Sequence, residues 1–574
     1  MALAVSTQTL AQDASAPPAP VFEPIPSTTR EVVNPPAPPP PTPAENSVRI
    51  SGGLEAGPCP LADSDVRTTI TSVRFAAARG GELPPELARL LEGLTPPSGE
   101  QPIKVVCELR DQAQARLAAA RYIASIQIPQ QRISDGVLQL NVVWGHITEV
   151  RVRGDAGPYE DLVRRRIEAL KAIDPLNQSD AERVLLLAND VPGLTATLAL
   201  SPAGGSPGDL IGDLTVSFER LRVYANVQNY NSKYLGRETV MLRAEAYGLT
   251  GLGDVTSLAL LSTAQPKEQK IAQLRHTFLA DDAGDTVSLV GTIAQSRPDL
   301  KTLDLRTLSR IAGIEFSHPL VRTLRDRLSI SSGLEYSTQR TRVYGEGRSS
   351  PLNLDRIAAL YVRLDGATRA LAFDGSEKAS LSGSLQLRKG LDILGATTGR
   401  TTKGYYLSRF DGDATATIIR GNLAGSVHFG PVAELFGAVS GQWSDHALLN
   451  YDEFSLGNLT IGRGYDPGAN SGDRAIGFTI EPRANIVLGR DSSAQFYGFY
   501  DAVQLWNLDQ GSTEKKRYIE SIGGGVRFSL LRSMRLDLTY THPLDPPLLT
   551  GANVSPPGDR VLLSLTVQLV PFGR

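Results

Sequence analysis

The stretch KASLSGSLQLR, residues 378–388, alternates apolar and polar side chains along its length. One face carries Ala379, Leu381, Leu385 and Leu387, and the other carries Ser380, Ser382, Ser384, Gln386 and Arg388. Because successive side chains of a strand point to opposite faces, this period of two indicates a β-strand. A strand of about ten residues with one apolar and one polar face is typical of a transmembrane barrel, where lipid lies outside and water fills the lumen.

The same alternation recurs through the C-terminal part of the chain. It is clear in SMRLDLTYT (533–541) and in RVLLSLTVQLV (560–570). From residue 221 to the end we count about sixteen such segments, an even number, as bacterial single-chain barrels require. A soluble β-sandwich is the alternative, but its strands are usually shorter. The pattern therefore predicts a membrane all-β fold, an outer-membrane β-barrel of about 16 strands over residues 221–574.

Charge and hydropathy exclude two other classes. The 574 residues contain 61 acidic and 58 basic side chains, a net charge of −3. Binding to nucleic acid requires a strong basic patch, so we expect no nucleic-acid partner. Apolar runs such as VLLLA (184–188) fall far short of the roughly 18 residues that a membrane-spanning helix needs. The chain is therefore not predicted to be a helical membrane protein.

Residues 1–46 are interpreted as a signal-peptide remnant, or alternatively an ordinary disordered start, followed by a proline-rich linker. The start, MALAVSTQTLAQD, has a short apolar segment without a basic region before it. Residues 16–43 are dense in proline, which fixes φ and favours an extended chain. We therefore expect an unfolded, semi-rigid spacer here.

Between the linker and the barrel, the pattern mixes helices and strands in two units, 47–145 and 146–220. DQAQARLAAARYIAS (111–125) is rich in alanine and predicts a helix, and DGVLQLNVVW (135–144) predicts a strand. The second unit has the order strand, helix, helix, strand, strand, which is an α+β module. Ser179 and Glu182 have the spacing of a capping box at the start of its second helix.

The two cysteines, Cys59 and Cys107, fall in the first unit. Their spacing fits no metal site. A lone pair in an exported chain suggests a disulfide bond. The alternative is two separate buried thiols.

Enzyme signatures are absent from the sequence. It has no Walker motif and no H-E-x-x-H, and GRGYDPG has Pro467 where a dinucleotide fingerprint needs its third glycine. The six histidines are dispersed without ligand spacing on one element. We expect no catalytic residues, no metal and no cofactor.

Five motifs occur in an order that resembles a known family. They are IPQQRISDGVLQLNVVWGHITEVRVRG (128–154), DPLNQSDAERVLLLANDVPGLTATLALSPAG (174–204), NYNSKYLGRETVMLRAEAYGLTGLGD (229–254), FSLGNLTIGRGYDPGANSGDRAIGFTIEP (454–482) and FYGFYDAVQLWN (496–507). Together they are similar to the TpsB-type transporters of two-partner secretion, the family of haemolysin and filamentous-haemagglutinin transporters. This resemblance implies two periplasmic POTRA domains before a sixteen-stranded outer-membrane barrel.

The resemblance also implies a site. In the family a long loop, here about 443–473, folds back into the barrel, and its tip meets an aspartate on a barrel strand. Carried over, the tip is Arg463, Gly464 and Tyr465, and the aspartate is Asp501. The sequence departs from the family at Gly462, where valine is common, and at Val503, where glycine often follows the aspartate by two. The family's plug helix has no clear counterpart before the proline tract.

The implied function is secretion of a dedicated large partner exoprotein, TpsA-like and of haemolysin or adhesin type, from the periplasm to the cell surface. Other expected partners are outer-membrane lipid, periplasmic chaperones and the barrel-assembly machinery. Alternatives are an assembly factor for outer-membrane barrels and a passive porin. An exposed sheet edge can bind an extended client by strand addition. The candidate for that edge is LTATLAL, which comprises Leu194, Thr195, Ala196, Thr197, Leu198, Ala199 and Leu200. The alternative is a strand that only completes the sheet. NDVPG (189–193) is interpreted as a turn and not as a contact site.

Overall fold

The computed structural model describes residues 29–33, 50–51, 54, 57–61, 64–133, 135–300, 303–345, 347–372, 376–397, 401–402, 404–512, 514–548 and 555–570. The predicted signal remnant and most of the predicted linker lie outside these residues. Two short elements come first, helix α1 (Arg30–Val33) and strand β1 (Ile50–Ser51). Across the described residues, no helix combines the length and the apolar character needed to cross a membrane.

The first module packs two helices on a small sheet. Its elements are β2 (Arg67–Thr69), β3 (Ser72–Ala77), α2 (Pro85–Leu91), β4 (Glu100–Pro102), α3 (Val105–Ala119), β5 (Ala124–Gln127) and β6 (Val137–Trp144). Strand β6 lies between β3, which is parallel to it, and β5, which is antiparallel, while β2 and β4 form a separate ribbon. Leu109 and Leu117 of α3 pack on Leu138 and Leu140 of β6. The two sides bury a common apolar core.

The helix predicted at 111–125 is wrong at both ends. Helix α3 begins at Val105 and ends at Ala119, and Ala124 already belongs to β5. The chain leaves the helix through Arg121, whose φ is +66°. The backbone N–H groups of Arg121 and Tyr122 then bond to the carbonyls of Ala118 and Leu117. Such bonds satisfy the last carbonyls of a helix and end it, whatever the helix propensity of the residues that follow.

Cys59 and Cys107 form a disulfide bond that ties the start of the first module to α3, with their Cα atoms 5.9 Å apart. A closed loop of 48 residues stabilises a fold by about 4 kcal/mol in the chain-entropy model. We expect Cys59→Ser to raise the rate at which a protease cleaves the first module of the full chain. Limited proteolysis without reductant measures this, and wild type treated with dithiothreitol provides the reference. A cleavage rate equal to that of oxidised wild type would contradict the prediction.

The second module has the predicted order of elements. It consists of β7 (His146–Gly154), a 3₁₀ turn (Gly157–Tyr159), α4 (Glu160–Lys171), α5 (Gln178–Asn189), β8 (Leu194–Pro202) and β9 (Asp209–Phe218). Its sheet order is β1-β8-β9-β7, with β7 parallel to β9, β8 antiparallel to β9 and β1 parallel to β8. The predicted capping box is wrong, because Asn177 caps α5 by accepting from the Ser179 N–H, and Glu182 pairs with Arg121.

Within the described residues, sixteen long strands close into an antiparallel barrel. They are β10 (Leu221–Gln228), β11 (Thr239–Tyr247), β12 (Val255–Thr263), β13 (Gln269–Leu279), β14 (Thr286–Ser296), β15 (Asp304–Arg322), β16 (Asp326–Gly345), β17 (Arg348–Leu371), β18 (Glu377–Leu391), β21 (Thr417–Phe429), β22 (Ala433–Ser444), β25 (Arg474–Gly489), β26 (Ser492–Trp506), β27 (Lys516–Leu530), β28 (Met534–Pro543) and β29 (Arg560–Val570). The pairing of β10 with β29 closes the barrel. Short strands in its loops are β19 (Thr401–Thr402), β20 (Tyr405–Tyr406), β23 (Phe454–Ser455) and β24 (Ser471–Gly472).

The alternation read from the sequence sets the two faces of the barrel wall. In β18, Leu381, Leu385 and Leu387 are exposed on the outside, whereas Gln386 and Arg388 are buried on the inside. When such a strand lies in the wall of a closed barrel, its apolar side chains contact lipid and its polar side chains face the lumen. The polar inner face then provides the surface on which the interior segments pack.

Candidate functional site

The loop between β22 and β25 folds into the barrel and brings Arg463 to the inner wall. The guanidinium donates from Nε and Nη2 to the two carboxylate oxygens of Asp501, at 3.0 and 2.8 Å. The backbone N–H of Arg463 donates to the same carboxylate at 2.9 Å. The Asp501 side chain is only 1% exposed. The guanidinium also lies over the ring of Phe499, 3.6 Å from its centroid, an arrangement that adds cation–π attraction.

Glu481 on β25 is a second carboxylate partner of Arg463, and sequence reasoning missed it. Nη1 of Arg463 donates to Glu481 at 2.6 Å, and Glu481 also accepts from Arg483 and Arg527, each at 2.6 Å. The loop arginine therefore enters a network on the wall instead of forming a simple pair. The sequence shows only that Glu481 shares a strand face with Thr479, two residues earlier; the pairing of Thr479 with Asp501 is known from the strand register of the structure.

The two residues after Arg463 fix the loop tip against β27 and β28. The Gly464 N–H donates to the Ser521 hydroxyl at 3.3 Å, and a Cβ on Gly464 would lie 2.8 Å from the Cβ of Ser521. The ring of Tyr465 is fully buried, and its hydroxyl lies 2.7 Å from the Glu520 carbonyl and 2.9 Å from that of Asp545. The glycine thus allows a close approach that any side chain would prevent.

Both departures from the family pattern have a structural explanation. Gly462 has φ +96°, a conformation that favours glycine, and a Cβ there would lie 2.7 Å from Leu456. Val503 is opposite Gly477 in the β25–β26 ladder, and a Cβ on Gly477 would lie 3.1 Å from the Val503 side chain and 3.0 Å from that of Ile461 in the loop. The small residue that gives the loop room therefore lies on the neighbouring strand.

Helix α1 lies inside the barrel, so the expectation of an unfolded spacer through residues 16–43 is wrong for residues 29–33. The Arg30 N–H donates to the Tyr451 carbonyl, and its guanidinium pairs with Glu335 at 3.2 Å. The carbonyl of Val32 accepts from Gln269, and Val33 is fully buried. The seven residues STTREVV (27–33) contain no proline, although prolines flank them closely. The high proline content of residues 16–43 as a whole therefore hides this short proline-free segment.

The NDVPG turn contacts the barrel, which corrects its interpretation as a turn alone. Asp190 accepts two hydrogen bonds of 2.6 Å from Nε and Nη2 of Arg322, the last residue of β15. The Arg322 side chain is 7% exposed. Such a fork-to-carboxylate pair is strong and directional. It joins the second module to the end of the barrel.

Two further turns of the barrel contact the second module. Arg165 and Arg166 of α4 bind Asp282 in the turn between β13 and β14. The Tyr159 hydroxyl donates to the carbonyl of Asp254, before β12, at 3.1 Å. Burial raises the pKa of Tyr159 above its usual value, so the phenol stays protonated and remains a donor. These contacts hold the module in one orientation on the barrel.

The predicted docking edge is exposed only in part, and client docking at it stays a prediction. Strand β8, which contains Leu194 to Leu200, pairs with β9 on one side, and on the other β1 pairs with Leu198 and Ala199. At Ala196 the side chain of Asn189 accepts from the N–H and donates to the carbonyl, both at 2.8 Å. Uncovered edges invite pairing with other chains, which explains the cover.

Among the described residues, no group of three or more His, Cys, Asp and Glu side chains is arranged to hold a metal ion. The carboxylates at the loop tip are paired with arginines instead.

Comparisons with known proteins agree with this architecture. The family model for the haemolysin secretion/activation protein ShlB/FhaC/HecB matches residues 215–528. The heme/hemopexin transporter protein HuxB of Haemophilus influenzae strain 86-028NP is 24% identical over 438 residues, which is 74% of each chain. Among solved structures, CdiB from Escherichia coli matches with a TM-score of 0.68 at 16% identity, covering 90% of this chain and 94% of that one. CdiB from Acinetobacter baumannii matches with a TM-score of 0.62 at 15% identity, covering 92% and 93%.

Proposed function

The chain belongs to the haemolysin secretion/activation family ShlB/FhaC/HecB, which comprises TpsB-type transporters of two-partner secretion. We propose a role in secretion for each of its domains. It is an outer-membrane translocator for a partner exoprotein. The two POTRA domains capture the unfolded exoprotein in the periplasm. The barrel lumen then conducts it to the cell surface. Periplasmic chaperones deliver it, and the barrel-assembly machinery inserts the transporter among outer-membrane lipids.

The observation that carries this mechanism is the buried network at the loop tip. At rest the loop and α1 lie in the lumen, so an exoprotein can pass only after both have moved. Arg463 is held by two carboxylates that are 1% and 2% exposed. Buried ion pairs add little net stability but can select one conformation. We assign to Arg463 and Asp501, with Gly464 and Tyr465, the role of fixing the closed position from which the loop is released.

Family membership favours a dedicated translocator over an assembly factor for other barrels or a passive porin. The exoprotein is a large protein of haemolysin or adhesin type in this proposal. The chain contains no nucleotide-binding motif, so folding of the exoprotein outside the cell drives export.

Quantitative proteomics of medium and outer membrane, in a deletion strain and its complemented parent, tests the proposal. We expect one large protein to disappear from the medium or the surface while other barrels keep their levels. A general fall in barrel proteins would indicate an assembly factor. No change in either fraction would leave the proposed export without support.

A further inference from the structure

The outer face of strands β15, β16 and β17 carries three arginines. Ile311 belongs to an apolar cluster inside the lumen, so its neighbour Arg310 on β15 faces outward. The strand register places Arg310 opposite Thr338 and Thr338 opposite Arg356. Arg340 lies two residues after Thr338 on the middle strand and so shares its face. The three arginines therefore form one patch on the outer wall, which we call the arginine patch.

The arginine patch lines a groove of about 860 Å³ on the barrel wall. Tyr336, Thr338 and Tyr405 also line this groove and bring hydroxyl groups to it. The groove extends over Leu274 and Ile293, two exposed apolar side chains of the neighbouring strands. It therefore combines a basic and polar part with an apolar part, as a ligand with an anionic head group and acyl chains requires.

The positive charge of the arginine patch is not neutralised by the protein. Within the described residues, none of its three guanidinium groups forms an ion pair or a hydrogen bond with another residue. Two nearby arginines differ in this respect, since Arg306 pairs with Asp304 at 2.8 Å and Arg342 donates to the Tyr405 hydroxyl at 2.7 Å. Like charges repel, so an anion that contacts all three arginines is attracted strongly.

The arginine patch lies at the level of the outer-leaflet head groups. The second module contacts Arg322 at the far end of β15, so that end faces the periplasm. Between Arg310 and His318 the outward residues are Ala312, Ile314 and Phe316. From Arg310 to His318, eight residues at about 3.4 Å each on a strand tilted by about 40° span roughly 20 Å of barrel height. The apolar band of such barrels is about 25 Å tall, so the patch begins where that band ends.

We propose that Arg310, Arg340 and Arg356 bind the phosphate groups of lipid A, the phosphorylated glycolipid of the outer leaflet. A guanidinium group binds phosphate through two parallel hydrogen bonds. Arg310 and Arg356 are two strands apart, about 10 Å at the usual strand spacing, so they suit a head group with two phosphates better than one with a single phosphate. The acyl chains lie along the apolar part of the groove. This inference depends on the outer-membrane location and not on the secreted partner.

Binding of lipid A to the purified full chain in detergent tests the site, with native mass spectrometry as the measurement. The Arg310→Gln/Arg340→Gln/Arg356→Gln variant should bind lipid A at least about tenfold more weakly than wild type, because each arginine near a head group adds to the attraction. Heat-modifiable migration in gels selects the assembled barrels for comparison. Wild-type affinity in the assembled variant would overturn the proposal.

A matched control removes the same charge from the other end of the barrel. Arg325, Arg327 and Arg490 are exposed arginines in or beside turns at the periplasmic end. Their triple replacement with glutamine lowers the net charge by the same three units and should leave lipid A affinity as in wild type. An equal loss of affinity in this control would show that overall charge, and not the arginine patch, attracts the lipid.

Two further lipids identify the ligand without any variant. Dephosphorylated lipid A keeps the acyl chains, and wild type should bind it at least about tenfold more weakly than lipid A. Phosphatidylglycerol has a single phosphate and should displace lipid A only at a concentration at least about tenfold higher than lipid A itself requires. Equal binding of the dephosphorylated form, or equal displacement by phosphatidylglycerol, would overturn the assignment to the phosphates of lipid A.

Discussion

Replacing Arg463 with alanine is expected to lower export of the partner exoprotein by at least about tenfold while the barrel still inserts. The change removes two side-chain hydrogen bonds to Asp501 and one to Glu481, whereas the backbone N–H of residue 463 still donates to Asp501. Removing one partner of a buried ion pair typically costs about 3–5 kcal/mol. Both carboxylates then face the interior with less compensation, so the loop loses its single defined position.

Export is measured as secreted exoprotein per assembled transporter, with assembly followed by heat-modifiable migration in gels. Arg490→Ala is the matched control, since Arg490 is an exposed arginine in the turn between β25 and β26. Arg463→Lys should fall between the two, because lysine keeps the charge but not the forked geometry. Wild-type export by assembled Arg463→Ala transporter would refute the role assigned to this residue.

The barrel was predictable because its signal is local and repeated. KASLSGSLQLR shows on its own which face meets lipid, and each further strand repeats that information. The placement of Arg463 near Asp501 was expected from a family resemblance. Alternation of apolar and polar residues predicts strands, but it does not predict which distant residues come into contact. The structure places both within hydrogen-bond distance, and the role of the pair remains a proposal.

The missed features share one physical property, since each depends on a contact between distant segments. Glu481 resembles many other polar residues that face a barrel lumen, and nothing local marks it as the meeting point of three arginines. Arg322 and Asp190 are 132 positions apart. The composition of the proline tract concealed α1, and β1 has only two residues, too few to show any period. Whether a two-residue segment forms a strand depends on the free edge with which it pairs, and not on its own sequence.

Reversing the charge of Asp190 is the second change from which we expect a large effect. Asp190→Arg should lower export and loosen the second module from the barrel, because Arg322 is largely buried and would face a like charge. Each hydrogen bond between charged groups contributes about 1.5–3 kcal/mol, and this pair has two. Amide hydrogen exchange of α4 and α5 in the intact transporter should speed up, as module and barrel no longer hold one orientation.

The charge-swapped double variant, Asp190→Arg/Arg322→Asp, separates this latch from a general loss of folding. If the two residues act through each other, the swap should recover a substantial part of export and of exchange protection. Asp180→Arg, an exposed carboxylate reversed on α5 of the same module, should leave both measurements near wild type. Single variants whose effects simply add in the double variant would show that the pair does not couple module to barrel. Recovery of export and of exchange protection in the double variant would instead show that the Asp190–Arg322 pair sets the orientation of the second module on the barrel. The β8 edge, as part of that module, would be oriented with it.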